Sequence, residues 1–243
     1  IGGPIRRNKM FFFADYQGSR DRLGQVNRVV IPGLDFRGGD LSASPTEIYD
    51  PLTGDGNGGG RTPFPNKRIP TARMSPISQR ILGFLPNPNV AAPEGQINYD
   101  LNTVRVKDLN QADGKYDWVI TDDDRIAVRY SYQKAFVSDP GLHGPNGGIY
   151  GGPHNGGFSG TGPARTQSAG ITYSRVMSPT FVYEFRGGLI RNRNDAINQD
   201  RGLTTSADIG IRGANVDEWS SGISEVRING YSTPVVGFSP SLP

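Results

Sequence analysis

Cysteine is absent, which removes any disulfide scaffold, thiol nucleophile or cysteine-based zinc site. Long apolar runs are missing as well. No stretch approaches the roughly 20 residues a membrane-crossing helix needs. Hydrophobic residues make up only 35% and mean hydropathy is −0.48, which excludes a helix bundle. There is no block of one charge: 26 Lys and Arg are interspersed with 23 Asp and Glu, without the basic run that marks nucleic-acid or anionic-lipid binding. An initiator Met and a signal peptide are also lacking. The chain opens on Ile1-Gly2-Gly3-Pro4-Ile5 and closes on Ser239-Pro240-Ser241-Leu242-Pro243, so both ends read as cut and an internal fragment is expected.

What is abundant is glycine, proline and aromatic rings. The 34 Gly and 19 Pro exceed a fifth of 243 residues, just under the range that suggests disorder. A disordered chain would not carry 11 Phe, 10 Tyr and 2 Trp. The apolar material is therefore concentrated in short segments between Gly-rich stretches.

Those segments alternate with period two, the signature of half-buried strands. From Asp113 to Thr121, Gly114, Tyr116, Trp118 and Ile120 share one face, and Asp113, Lys115, Asp117 and Val119 the other. From Arg125 to Gln133, Ile126, Val128, Tyr130 and Tyr132 oppose Arg125, Ala127, Arg129, Ser131 and Gln133. With Asp122-Asp123-Asp124 as a three-residue turn, the apolar faces coincide and Tyr116 falls opposite Tyr130, Trp118 opposite Val128. A second hairpin runs through Thr166–Met177, turns at Ser178-Pro179-Thr180 and returns over Phe181–Arg191. Its apolar face holds Tyr173, Tyr183 and Phe185, and its polar face Glu184 and Arg186. Near the start, Arg6-Arg7-Asn8-Lys9 turns into Met10–Gly18, with Phe12 and Tyr16 on one side, Asp15 and Gln17 on the other. Gln25–Ile31 is a further short extended candidate. Ser75, Pro76 and the Ile77, Ile81, Leu82, Leu85 face predict one short helix ending at Pro86.

Strands are thus expected at about 10–18, 113–121, 125–133, 166–177 and 181–191, with long loops at about 19–111, 134–165 and 192–243. Short turns and long loops alternate, so in an antiparallel meander all short turns lie at one end. That is the layout of a bacterial outer-membrane barrel, although a soluble β-sandwich alternates equally well. Three features favour the membrane: rings on the outward sets, ions on the opposite faces, and a low mean hydropathy that suits a single narrow apolar band. The aromatic set expected toward lipid is Phe12, Tyr16, Tyr116, Trp118, Tyr130, Tyr132, Tyr173, Tyr183 and Phe185. The set expected toward a water-filled lumen is Asp15, Gln17, Lys115, Asp117, Arg125, Arg129, Glu184 and Arg186.

Several segments carry a resemblance. Gly2-Gly3-Pro4-Ile5, the charged turn, and Lys9-Met10-Phe11-Phe12-Phe13-Ala14-Asp15-Tyr16-Gln17-Gly18-Ser19-Arg20 resemble the early barrel of Oar-like TonB-dependent receptors of the acidobacterial type. The similarity continues through Gly39-Asp40-Leu41-Ser42, Ile48-Tyr49-Asp50-Pro51, Phe64-Pro65-Asn66-Lys67-Arg68-Ile69-Pro70 and Arg73-Met74-Ser75-Pro76 to Pro86-Asn87-Pro88-Asn89. It takes in Asp122-Asp123-Asp124-Arg125, Arg129-Tyr130-Ser131-Tyr132, Ser178-Pro179-Thr180 and Ile228-Asn229-Gly230-Tyr231. Gly54–Gly60 and the Gly141–Gly162 loop depart from it as Gly-rich insertions.

The resemblance implies a fold class of all-β, part of a transmembrane barrel of about 22 strands, of which this chain supplies about five or six. It also implies residence in the outer membrane of a Gram-negative-type bacterium, extracellular long loops, and energy-coupled uptake of an unidentified ligand. The plug and TonB box would precede Ile1. Expected partners are outer-membrane lipid, TonB through a segment outside the chain, and the transported ligand, but not nucleic acid. The competing reading is a secreted, soluble β-rich binding or adhesion module.

Other motifs carry less. Gly54-Asp55-Gly56-Asn57-Gly58-Gly59 matches a dinucleotide fingerprint but neither follows a strand nor opens a helix. Read as a calcium loop, it has Asn66 where a bidentate Glu belongs. Asp122-Asp123-Asp124 reads as a solvated turn. His143 and His154, eleven residues apart without acids nearby, are weak ligands, and no triad or carboxylate pair is convincing. No catalytic residue, cofactor or metal is expected, and an enzyme is not.

Overall fold

The computed structural model describes residues 1–141, 160–226 and 228–232. Six main strands form one antiparallel path in sequence order: β1 (Gly2–Arg6), β2 (Met10–Val29), β3 (Tyr99–Val119), β4 (Asp124–Asp139), β5 (Gly160–Ser178) and β6 (Phe181–Asn194). A two-residue strand, β7 (Ile197–Asn198), pairs with β5. Helices are short: α1 (Leu34–Arg37), α2 (Pro76–Gly83), α3 (Thr205–Asp208) and two 3₁₀ turns, Pro65–Lys67 and Thr71–Arg73. Among the described residues no helix is long and apolar enough to cross a membrane. The all-β meander and the loop helix are as expected, and short and long connections alternate.

Three expectations need correction. First, β1 carried no period-two signal because Gly2, Gly3 and Pro4 have almost no side-chain pattern. It nevertheless pairs Gly2 with Phe13 and Pro4 with Phe11 across a turn where Asn8 takes φ 62°, a conformation asparagine tolerates. Second, β2 and β3 outlast their apolar stretches, so the loop expected at 19–111 is only 30–98, and Gln25–Val29 belongs to β2. Polar cross-strand contacts replace apolar pairs there: Arg22 reaches the Asp108 carboxylate at 2.6 Å, and Asn27 Nδ2 donates to Thr103 Oγ1 at 3.0 Å. Third, the register of β3 and β4 is two residues off. Tyr116 faces Val128, Trp118 faces Ile126, and Gly114 faces Tyr130.

The third correction has a local cause. Asp124 is a strand residue and not the third turn residue. Its backbone N–H donates to Thr121 Oγ1 at 3.0 Å, and the Thr121 hydroxyl donates back to its carboxylate at 2.7 Å. The turn is therefore Thr121-Asp122-Asp123, closed by the Ile120 N–H donating to the Asp124 carbonyl. It keeps an odd length, so side chains stay on their expected faces while their partners change.

The chain divides into two compact units. The sheet unit comprises 1–23, 105–138 and 161–197, and the loop unit 24–104, 139–160 and 198–243. The loop unit has two small cores. One is Val29, Ile31 and Tyr99 with Leu101. The other is Ile81, Leu85, Ile209 and Ile223, with Ile77 and Val226 against it. Asn98 completes the first by imitating a strand partner: its amide accepts from Ile31 N–H at 2.8 Å and donates to Ile31 C=O at 2.7 Å. Arg37 ties the unit together by donating to the carbonyls of Pro32, Leu85 and Pro86.

Asp200 beside the second core is 2% exposed, and its carboxylate accepts from Ile223 N–H at 2.7 Å. Burial pushes its carboxyl above the ordinary value, with the Ile223 amide opposing. The unfolded chain therefore releases this proton more readily than the folded one. Stability of the segment should fall as pH rises from the ordinary carboxylate value through the raised one, and stay flat above it. Asp200→Asn keeps an acceptor for Ile223. It should abolish that dependence and slow amide exchange across 198–226 at neutral pH. Unchanged exchange in the variant would contradict a buried charge.

Candidate functional site

Two surfaces of the sheet unit and one cavity of the loop unit are the candidate sites. Alternation sorts the sheet side chains onto an aromatic and an ionic face, and the register shows which rings meet. Tyr173 lies directly opposite Phe185, and its ring meets Tyr183 edge-on at 6.3 Å. Tyr130 accepts a hydrogen bond from Gln167 Nε2 at 2.7 Å, which places both on one face. Tyr16 donates to Asn110 Oδ1 at 2.7 Å, joining β2 to the same side of β3. Aromatic rings lie over glycines: Cβ atoms built at Gly18 and Gly187 would stand 3.1 Å from the Tyr16 hydroxyl and 3.4 Å from Phe185 Cζ. The rings are open to the surroundings, with Tyr16 68%, Trp118 39% and Phe185 51% exposed, and Leu189 beside them 71%. Phe12, Tyr116 and Tyr132 complete this face by their strand parity.

Charges bound the aromatic face along β4. Asp124 stands at the short-turn end and Lys134 at the other, with Ile126, Val128, Tyr130 and Tyr132 between them. Ten residues span about 33 Å along a strand. At the usual barrel tilt that is a height of about 25 Å, the height of an outer-membrane apolar band. Asp124 is not a solvated turn acid. It accepts from the Tyr173 hydroxyl at 2.6 Å, and Arg175 Nε lies 3.7 Å away.

The ionic face holds its charges in pairs. Lys115 bridges Asp117 at 2.8 Å, and Arg186 bridges Glu184 at 2.6 Å. Lys115 also lies directly opposite Arg129, so Asp117 offsets a like-charge pairing. Gly170 leaves room for the Arg129 stem, because a Cβ there would stand 3.3 Å from Arg129 Cγ. Arg125, opposite Val119, stands near the short turn. Asp15 and Gln17 share strand parity with Phe11 and Phe13, and Ile190 shares the Glu184 face, so this side is mixed rather than wholly polar.

The cavity, about 680 Å³, was not legible in the sequence. It is lined by Asp35, Phe36, Asp40, Asn89, Val90, Glu94 and neighbouring residues, brought together from two ends of the 30–98 segment. Asp40 accepts from Ser42 N–H at 3.0 Å and pairs with Arg68 at 2.7 Å. Ser42 first, and Arg68 beyond it, hold its carboxyl below the usual range. Glu94 accepts from Gly33 N–H and, at 2.6 Å, from the Tyr231 hydroxyl, so burial and this carboxylate raise the Tyr231 phenol. Asp40 and Tyr231 both fall in motifs of the family resemblance, the one signal that pointed here.

Asp55 in the Gly-rich insertion caps its own turn, accepting from Asn57 and Gly59 N–H groups. His143 and His154 lie outside the described residues. Set beside known families, residues 1–242 match a model described as an outer membrane beta barrel domain. No curated protein and no solved structure matches the chain.

Proposed function

The chain belongs to the outer membrane beta barrel domain family and resides in the cell outer membrane, and from that premise we propose that it serves a TonB-dependent receptor of the Oar-like type. In this reading the sheet unit is barrel wall. The aromatic face, with Phe12, Tyr16, Tyr116, Trp118, Tyr130, Tyr132, Tyr173, Tyr183 and Phe185, meets hydrocarbon. The ionic face, with Asp15, Gln17, Lys115, Asp117, Arg125, Arg129, Glu184 and Arg186, looks onto water. Lipid cannot satisfy backbone hydrogen bonds, so these strands complete their pairing in a closed barrel. Residence in the outer membrane replaces the alternative of a secreted soluble module.

The observation that carries the transport reading is the built loop unit. A barrel that only anchors itself has no need of a 69-residue connection that encloses a cavity of about 680 Å³, whereas ligand capture does. Asp35, Asp40 and Glu94 around that cavity favour a ligand rich in hydrogen-bond donors. The test is formaldehyde cross-linking in intact cells. The full-length protein should be recovered joined to the inner-membrane TonB protein. Failure to recover that product, in cells where an established receptor does yield it, would end the TonB assignment and leave an outer-membrane barrel of another kind.

A further inference from the structure

We propose that Lys134, Arg165 and Arg193, above Tyr132, form a binding site for the phosphate of a phosphorylated glycolipid headgroup in the outer leaflet. The proposal rests on the reading of the aromatic face as lipid-facing. The three cations come from three consecutive strands and, with Tyr132, Pro163, Ala164 and Asp195, line a cavity of about 240 Å³. Lys134, Arg165 and Arg193 have the strand parity of Tyr132, Tyr173 and Phe185, so they lie on the aromatic face, just beyond its band.

Their charge is compensated only in part, by one carboxylate for three cations. Arg165 and Arg193 are directly opposite each other across β5 and β6, a like-charge pairing that disfavours the sheet unless an anion joins them. Asp195 engages Arg193 at 3.0 Å, while Lys134 and Arg165 form no ion pair with any described residue. Toward the other strands of this face carboxylates stand beside the cations: Asp108 beside Arg22 and Arg20, Asp124 beside Arg175. The excess gathers at the long-loop end of β4, β5 and β6, with Arg191 one position below Arg193 on the same face, and the Asp195 N–H donating to the Pro163 carbonyl at 3.0 Å holds the rim of the cavity. Guanidinium forks suit phosphate oxygens, and an ammonium adds a point charge.

Position selects the source of that phosphate. Below the cations the face turns apolar through Tyr132, Tyr130 and Val128 on β4, and on β5 and β6, past Gln167 and Arg191, through Ala169 across from Leu189. Such a surface seats acyl chains beneath a headgroup, which a soluble phosphate does not exploit. The cations stand at the end where the long loops emerge, so the leaflet is the outer one.

The test uses the full-length protein, delipidated in detergent and observed by native mass spectrometry. Probes are diphosphoryl lipid A, phosphatidylethanolamine and inorganic phosphate. Lipid A should be retained, and the triple variant Lys134→Gln, Arg165→Gln, Arg193→Gln should weaken retention at least tenfold. A charge-matched variant on the ionic face, Lys115→Gln with Arg125→Gln and Arg129→Gln, should leave retention unchanged. Equal loss in both variants would reduce the effect to net charge and overturn the site. Displacement of lipid A by inorganic phosphate at equal concentration would overturn the lipid source. Heat-modifiable migration on gels confirms that each variant is folded. Labelling of Val128→Cys by a membrane-impermeant maleimide in vesicles would count against the lipid-facing premise, separately from the site.

Discussion

Replacing Val128 with arginine should lower the unfolding free energy of the full-length barrel by about 2–4 kcal/mol, the cost of a cation facing the bilayer midplane. Val128 lies midway between the charges that bound β4, opposite Tyr116 and flanked on its face by Ile126 and Tyr130. No carboxylate on that stretch could partner the new guanidinium, and snorkelling to either edge would have to pass a ring. The neighbouring exchange, Arg129→Val, changes a position on the ionic face, where the proposed lumen would supply water to both Arg129 and Lys115. It should shift stability by less than about 1 kcal/mol, because an exposed charge contributes little. Denaturant unfolding in lipid vesicles, followed by Trp fluorescence, reads both. Comparable effects at 128 and 129 would mean that the two faces do not see different solvents.

Gly39→Ala should open the wall of the loop-unit cavity, costing about 2–4 kcal/mol locally. Gly39 takes φ +89°, and a Cβ there would lie 2.6 Å from the Ile69 carbonyl and 3.1 Å from Met74 Sδ. Relief requires parting the two strands of chain clipped by Ile69 N–H on the Gly39 carbonyl and Leu41 N–H on the Lys67 carbonyl. That clip sets Asp40 against Arg68 and so shapes one wall of the 680 Å³ cavity. Gly60→Ala is the control: φ is +66°, but nothing lies within 4 Å of the added carbon. Only backbone strain of about 1 kcal/mol applies there. Hydrogen exchange over residues 30–98 should quicken markedly for the first variant and little for the second, while heat-modifiable migration of the barrel stays the same. Equal exchange in both would show that contact at Ile69 is immaterial.

Alternation along a strand is a local property, and so the division of Tyr116, Trp118, Val128 and Tyr130 from Lys115, Asp117 and Arg129 could be read from residue order alone. Any odd turn length preserves it, which is why the faces survived a two-residue error in register. The ends of β2 and β3 were illegible for the converse reason. Around Arg20, Arg22, Asp108 and Asn110 both faces are polar, and only the partner across the sheet tells a strand from a loop.

Residue order by itself determined that this chain makes a two-faced meander with every short turn at one end, because period two and turn chemistry need no distant partner. Tertiary structure alone decided three things: that Tyr116 meets Val128, that Asp40 and Glu94 border one cavity, and that Arg165, Arg193 and Lys134 crowd together. Each depends on which distant backbone hydrogen bonds form, and those are chosen by the energy of the whole fold, not by neighbours in the chain.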